Sequence, residues 1–194
     1  MKTEPMQGKI IATQYMSLDG VIEDPVGMED SGLGDWTGAF SRGPLGDKFK
    51  EDEIRDAEAL IFGRKTYDGF AAVWPTVDGG YAARMNALPK YLASRNLKSP
   101  DWENTTLLDP DIVDAVTDLK QKTAGSILIF GSGSVCHHLM RNGLIDELSL
   151  IVYPVILGRG LKLFPDNMKE TFQLIQNIGL NDSLLLLRYR LASH

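Results

Sequence analysis

The sequence contains one cysteine, Cys136, and three histidines among its 194 residues. A single cysteine excludes an internal disulfide bond, and no cysteine or histidine spacing is typical of a zinc site. The neighbouring residues His137 and His138 also lack the four-residue spacing of a helical metal-binding pair. We therefore expect neither a disulfide-stabilised fold nor a bound metal.

Long apolar runs are missing as well. No run approaches the roughly 18 residues that a membrane helix needs, and the first nine residues are too polar for a signal peptide. The net charge of −6 argues against a broad nucleic-acid surface, although it leaves room for a local basic pocket. We expect a cytoplasmic protein that binds a small-molecule substrate and contacts neither nucleic acid nor a membrane.

The secondary-structure signals alternate between strand and helix along most of the chain, and only strand signals follow residue 146. This order predicts an α/β fold with a mostly parallel central sheet, helices on both faces and an antiparallel C-terminal edge. Asn181 and Asp182 predict the hairpin turn of that edge. We expect residues 1–194 to form a single domain in which residues 1–8 are a disordered tail.

Local signals predict several boundaries. Residues 23–44 are rich in glycine, proline and aspartate and predict a long loop before a helix at 45–58 and a strand at 59–62. Residues 76–87 predict a loop with room for one helical turn. Asp109 and Pro110 predict the N-cap and the first position of a later helix, which Gly125 ends.

Three polar turns each follow an apolar strand. They are Gly63-Arg64-Lys65-Thr66, Ser94-Arg95 and Gly131-Ser132-Gly133-Ser134-Val135. The carboxyl ends of parallel strands meet at one edge of a sheet, so the three turns should lie close together. The helices that follow would direct free N–H groups at a phosphate, and basic side chains would neutralise its charge. Taken singly, each turn is equally compatible with a plain strand-to-helix connection that carries solvated basic side chains.

The order of these three turns resembles the dihydrofolate reductase superfamily. There, a Gly-Arg-x-Thr turn, a Ser-Arg pair and a paired-glycine turn hold one NADPH. The resemblance extends from Ile10 to Arg190 and implies a three-layer dihydrofolate-reductase-like fold. It also implies that NADPH contacts all three turns and that Ser94 and Arg95 hold its 2′-phosphate.

Other segments are more similar to the reductase domain of riboflavin biosynthesis. They are Met16 to Ile22, Gly143 to Leu148 and Pro154 to Phe164. This chain departs from that enzyme at Phe130, where the enzyme has an acidic residue, and it lacks a deaminase domain. The resemblance implies reduction of 5-amino-6-(5-phosphoribosylamino)uracil as the first expectation. Reduction of a pterin or dihydrofolate, and a non-catalytic NADP-binding protein, remain the alternatives.

Two carboxylates are candidate catalytic groups. Asp19 leaves the first strand where a nicotinamide ring should lie. The resemblance to the folate enzyme implies a carboxylate on the helix before the second strand, and Asp47, 16 positions before Gly63, is the residue of this chain at that place. Either could donate a proton or anchor the substrate. Asp19 and Gly20 are equally compatible with an ordinary turn.

The C-terminal half predicts self-association. Residues 146–156 and Leu184 to Leu187 carry more apolar side chains than one small sheet edge should expose to water. Riboflavin-family reductases, which the chain resembles, also pair through this half. We expect a homodimer.

Overall fold

The structure is a computed structural model that describes residues 7–192. The strands are β1 (Lys9–Ser17), β2 (Ala57–Gly63), β3 (Lys90–Ala93), β4 (Thr105–Leu107), β5 (Ser126–Phe130), β6 (Glu147–Tyr153), β7 (Phe172–Gly179) and β8 (Leu185–Leu191). The helices are α1 (Gly43–Arg55), α2 (Arg64–Val73), α3 (Gly80–Ala87), α4 (Ile112–Lys122) and α5 (Gly133–Arg141), and a short 3-10 helix spans Trp74–Thr76.

All eight strands belong to one sheet, in the order β4-β3-β2-β5-β1-β6-β8-β7. The six strands from β4 to β6 are parallel, whereas β8 pairs antiparallel with both β6 and β7. The predicted mostly parallel sheet with an antiparallel C-terminal edge is confirmed. Parallel pairing brings the carboxyl ends of β2, β3 and β5 to one edge, and the three polar turns follow those ends.

The central strands are buried on both faces, as their unbroken apolar runs predict. Ile127 and Ile129 of β5 face one core cluster that also contains Val116 of α4 and Leu139 of α5. Leu128 alternates to the other face, where it joins residues of the first three helices, among them Ile54, Tyr67 and Met85. Helices therefore cover both faces of the sheet, which confirms the predicted layers.

Helix α4 begins two residues later than predicted. The carboxylate of Asp111 accepts hydrogen bonds from the backbone N–H groups of Val113 and Asp114, both at 3.2 Å, and so caps the helix. The predicted cap, Asp109, instead accepts from the N–H of Asp111. The helix ends before Thr123, whose hydroxyl donates to the carbonyl of Leu119, so Gly125 does not close it.

Other predicted boundaries shift modestly. Helix α1 starts and ends earlier than the predicted 45–58, and β2 begins at Ala57. Helix α3 is a complete helix where a loop with one turn was expected, because Ala82 and Met85, three residues apart, bury one face. Most of the predicted tail, residues 1–6, lies outside the described residues, while Gly8 donates a backbone hydrogen bond to Lys120.

The loop between β1 and α1 is organised by Asp24. Its carboxylate accepts hydrogen bonds from the backbone N–H groups of Glu29 and Ser31 and from the Ser31 hydroxyl. The indole N–H of Trp36 donates to the carbonyl of Glu23 at 2.9 Å. These bonds give a long loop a defined path and place Glu29 above the carboxyl edge of the sheet.

Asp19 connects the end of β1 to the segment that follows β6. Its carboxylate accepts hydrogen bonds from the Ser17 hydroxyl at 2.7 Å and from the N–H groups of Leu157 at 3.1 Å and Gly158 at 2.8 Å. These donors, first the Ser17 hydroxyl and then the two backbone N–H groups, lower the pKa of Asp19 to about 2.

Among residues 7–192, no helix combines the length and the apolar character needed to cross a membrane.

The hydrogen bonds that the Asp19 carboxylate accepts should stabilise the fold when Asp19 is ionised. Because the folded-state pKa lies below the unfolded value of about 3.9, the contribution is present above that pH and disappears as the pH falls towards about 2. We predict that Asp19→Asn lowers the free energy of unfolding at neutral pH. The difference from the parent should shrink between about pH 4 and about pH 2 in urea titrations. A difference that stays constant over this range would contradict the assignment.

Candidate functional site

The three polar turns line one cavity of about 690 Å³, which we call the turn cleft. Ten of the eleven predicted cofactor-binding residues line it: Gly63, Arg64, Lys65, Thr66, Ser94, Arg95, Ser132, Gly133, Ser134 and Val135. The eleventh, Gly131, lines the neighbouring cavity. Gly63 and Val135, for example, lie 72 positions apart in sequence. They line the same cleft because β2, which ends at Gly63, and β5, which precedes Val135, are neighbours in a parallel sheet.

Hydrogen bonds join two of the turns directly. The N–H of Gly63 donates to the Ser132 hydroxyl at 2.7 Å, and the N–H of Ser132 donates to the Thr66 hydroxyl at 3.0 Å. The Thr66 hydroxyl in turn donates to the Glu29 carboxylate at 2.8 Å. The turns after β2 and β5 and the loop before α1 therefore form one connected unit.

The paired glycines allow the backbones to approach closely. Gly131 has a φ of +50°, and a Cβ atom there would lie 2.9 Å from the Thr66 hydroxyl oxygen. A Cβ atom at Gly133 would lie 2.5 Å from a methyl carbon of Leu161. A side chain at either position would require the Thr66 or Leu161 side chain, or the turn itself, to shift.

The turn cleft contains groups suited to phosphate, although its three carboxylates, Glu23, Glu29 and Asp109, balance the formal charge of its three basic side chains. Helices α2 and α5 both begin in it, so their free N–H groups and the positive ends of their dipoles face the cleft. Arg64 pairs with Asp68 at 2.7 Å, and Lys65 lies 3.9 Å from Glu23. Arg95 is exposed and has no ion-pair partner among residues 7–192, so its guanidinium is available to a ligand.

A second cavity, of about 920 Å³, adjoins the turn cleft, and both cavities share Thr66 and Glu29 in their walls. We call it the aromatic cavity because rings supply much of its lining: Tyr15, Phe40, Phe70, Trp74, Phe130 and Tyr153. Tyr153 lies near its base, with its ring centroid 5.5 Å from that of Tyr15 and 5.8 Å from that of Phe40. Such a cavity suits a flat ring.

Charged side chains of α1 also reach the aromatic cavity. Lys50 is 5% exposed, donates to the Thr13 hydroxyl at 2.9 Å, pairs with Glu53 and lies 4.9 Å from the Phe130 ring centroid. Burial disfavours its ammonium form, but the Glu53 carboxylate together with the Tyr15 and Tyr81 hydroxyls outweighs that effect, so the pKa of Lys50 is raised. Arg42 donates to the Tyr15 hydroxyl and pairs with Asp47 at 3.0 Å.

Sequence reasoning missed Arg42 and Lys50. The signal for Lys50 was present, because it lies midway between Gly46 and Ile54 on the buried face of α1, each four residues away. A lysine at a core-facing position of a helix requires a partner. No comparable signal marks Arg42, which is the residue before α1 and reaches the cavity only through the path of the loop.

The two predicted catalytic carboxylates lie in different places. Asp47 lines the aromatic cavity and is half-exposed beside Arg42. Asp19 lines neither cavity, because its carboxylate is turned towards Leu157 and Gly158. A catalytic role for either residue stays a prediction.

Comparisons with known proteins identify a family model and two relatives that match this chain. The family model of the RibD C-terminal domain matches residues 8–183. The uncharacterised Bacillus subtilis (strain 168) protein YyaP is 26% identical over 165 residues, which are 82% of this chain and 82% of YyaP. Its counterpart YwjB is 27% identical over 166 residues, which are 86% of this chain and 88% of YwjB.

Solved structures share the fold. A structure described as a candidate riboflavin biosynthesis protein from Shewanella sp. PV-4 is 24% identical, covers 95% of this chain and 99% of that one, and has a TM-score of 0.76. Dihydrofolate reductase from Enterococcus faecalis is 16% identical, covers 97% and 99% of the two chains, and has a TM-score of 0.62. The resemblance to dihydrofolate-reductase-like and riboflavin-type proteins is confirmed, and the chain belongs to the RibD C-terminal domain family.

Proposed function

We propose that the protein is an NADPH-dependent reductase of a small heterocyclic substrate. The observation that carries the proposal is the meeting of three phosphate-suited turns in a cleft that opens into an aromatic cavity. Family membership supports the reductase activity. The Enterococcus faecalis structure is described as a complex with NADP(H), and a Thermotoga maritima relative in fold is described as a deaminase and 5-amino-6-(5-phosphoribosylamino)uracil reductase.

The residues of the turn cleft fit the cofactor. The N-termini of α2 and α5, together with Arg64 and Lys65, would hold the pyrophosphate. Arg95 would hold the 2′-phosphate, because its guanidinium is exposed and unpaired among the described residues. Ser94 would add a hydroxyl donor beside it. Without side chains at Gly131 and Gly133, the backbone can approach the bound molecule.

When bound, NADPH supplies a hydride to the carbon of a substrate C=N or C=O bond, and the neighbouring nitrogen or oxygen takes one proton from water. The protein's own contribution is orientation and a partly dry environment. Phe130 and Tyr153 would confine the ring from the sheet side, and Phe40 and Trp74 from the helix and loop side.

We assign different roles to the two carboxylates. Asp47 lines the aromatic cavity, so it would contact the substrate. Asp19 would act as a positioning residue that holds the segment after β6, because its carboxylate is already bonded to two backbone N–H groups there.

Two named reactions compete. Reduction of 5-amino-6-(5-phosphoribosylamino)uracil is the first candidate on the resemblance to the riboflavin reductases, and reduction of a pterin is the second. A panel of aminopyrimidines and pterins, scored by substrate-dependent NADPH consumption, would distinguish them. NADPH binding without turnover on the whole panel would favour a non-catalytic NADP-binding protein.

Cofactor preference provides the first prediction of this proposal. A charge-assisted hydrogen bond, such as the one proposed between the Arg95 guanidinium and the 2′-phosphate, contributes about 1.5–3 kcal/mol. Arg95→Ala should therefore weaken NADPH binding roughly ten- to a hundredfold and leave NADH binding nearly unchanged, because NADH has no 2′-phosphate. Titration calorimetry measures both constants. Arg141→Ala is the matched control, because Arg141 is exposed at the far end of α5 and lines neither cavity. Equal weakening of both cofactors would show that Arg95 does not hold the 2′-phosphate.

Glu29 gives a second prediction. Its carboxylate lies 2.8 Å from the Thr66 hydroxyl, in the first turn of α2, and would repel a phosphate bound there. Glu29→Gln keeps the shape and removes the charge, so NADPH should bind about three- to tenfold more tightly. Weaker binding after this substitution would mean that the carboxylate is itself a cofactor ligand.

The predicted homodimer remains a proposal, as does the cytoplasmic location. The apolar residues on which the homodimer was predicted are mostly buried, because β6 lies inside the sheet and Leu184 and Leu186 face the core. The exposed apolar side chains of the antiparallel edge are instead Leu174, Ile175 and Leu185, which are 36% to 45% exposed. We predict that light scattering gives the mass of two chains at micromolar concentration, and that Leu174→Lys shifts the mass towards one chain. A mass near 21.4 kDa for the parent protein would contradict the prediction.

A further inference from the structure

The charge of the aromatic cavity differs from that of the turn cleft. Among the described residues, six carboxylates line the aromatic cavity and only two basic side chains do. The acidic residues are Asp24, Glu29, Asp35, Asp47, Glu51 and Asp78, and the basic residues are Arg42 and Lys50. The cavity proposed to hold the substrate is therefore negative overall. In the cleft proposed to hold the cofactor, three basic side chains match the three carboxylates Glu23, Glu29 and Asp109, and two helix N-termini add positive ends of their dipoles.

Both basic side chains of the aromatic cavity already have anionic partners. Lys50 is buried and pairs with Glu53, which also accepts a hydrogen bond from Thr13. Arg42 pairs with Asp47 through two of its nitrogen atoms, at 3.0 and 3.1 Å. A phosphate dianion would have to separate one of these pairs to gain a cation, and it would leave a carboxylate without its partner close by.

The exposed charges at the mouth of the aromatic cavity are acidic. Glu51 on α1 and Asp78 before α3 are both exposed, and neither has an ion-pair partner among residues 7–192. Their field would oppose the entry of an anion and favour a neutral or positively charged molecule.

Aromatic rings form another part of the lining, and their faces also favour positive over negative charge. Tyr15 and Phe130 each lie within 5.8 Å of the Lys50 ammonium, which shows that their faces accept a cation in this setting. A planar heterocycle can stack on such rings whether it is neutral or protonated.

We propose that the substrate of the aromatic cavity is an unphosphorylated planar heterocycle, neutral or positively charged, and that the site discriminates against phosphorylated forms of the same ring. This inference rests on the proposed reductase function and specifies its substrate class. It separates the chain from the phosphoribosyl substrate in the description of the Thermotoga maritima protein. The chain keeps the fold of the family, but the charge of its substrate cavity would favour an unphosphorylated substrate over a phosphorylated one.

The test uses a matched pair of compounds: 5-amino-6-ribosylaminouracil and its 5′-phosphate, which differ only in the phosphate. Each is titrated calorimetrically into protein saturated with NADP⁺. We expect the unphosphorylated compound to bind at least about tenfold more tightly. Equal or tighter binding of the phosphorylated compound would overturn the proposal, as would the absence of binding by the unphosphorylated compound up to about 10 mM.

A variant in which the two exposed acidic residues of the cavity are replaced by lysine provides a second test. Glu51→Lys combined with Asp78→Lys should tighten binding of the 5′-phosphate by about tenfold relative to binding of the unphosphorylated compound. Asp118→Lys combined with Asp182→Lys is the matched control, because both residues are exposed and line neither cavity. The same gain in the control would attribute the effect to net charge and overturn the proposal.

Failure of this inference is distinguishable from failure of the proposed function. NADPH binding is measured first, in the absence of any substrate. Protein that does not bind NADPH refutes the proposed function. Protein that binds NADPH and prefers the phosphorylated compound retains the proposed function and refutes only the unphosphorylated substrate class.

Discussion

The candidate site depends on a chain of hydrogen bonds across the carboxyl edge of the sheet. Gly63 donates to Ser132, Ser132 donates to Thr66, and Thr66 donates to Glu29. Each bond contributes modestly on its own, about 0.5–1.5 kcal/mol. Together they fix the starting points of α2 and α5 relative to each other, and both helix N-termini face the turn cleft, where they suit a phosphate.

The edge also separates two kinds of chemistry. The turn cleft contains two helix N-termini and an arginine, Arg95, that has no ion-pair partner in the described part of the chain. The adjoining cavity contains aromatic rings and more carboxylates than basic side chains. Thr66 and Glu29 lie in the wall between them. A molecule with phosphates at one end and a flat ring at the other would fit across this boundary. The arrangement explains how a chain with a net charge of −6 can offer a local site for an anion.

The turn residues were predictable from sequence because local rules determine them. In a parallel sheet, an apolar strand that is followed by glycine and the polar start of a helix predicts a ligand-binding turn at the carboxyl edge. Ten of the eleven residues predicted in this way line one cleft. Asp19 follows the end of the first strand, as predicted. The direction in which its carboxylate points, however, depends on a hydrogen bond to Leu157 after β6, which is 138 residues away. Such a contact cannot be read from local sequence.

The aromatic cavity was less predictable for the same reason. Phe40 and Trp74 line it, whereas Trp36, which belongs to the same stretch of chain as Phe40, packs against Tyr153 in the core. Lys50 and Arg42 depend on how α1 packs against the sheet. The boundary of α4 differs from the prediction because Asp109 and Asp111 are both capable of capping, and it is the Asp111 carboxylate that accepts the N–H groups of the first turn.

A crystal structure of the protein with NADPH tests the central claim most directly. The account predicts electron density for the pyrophosphate at the N-termini of α2 and α5, for the 2′-phosphate beside Arg95, and for the nicotinamide ring at the opening of the aromatic cavity. Density for the adenosine end in the aromatic cavity, or NADPH bound away from the three turns, would contradict it.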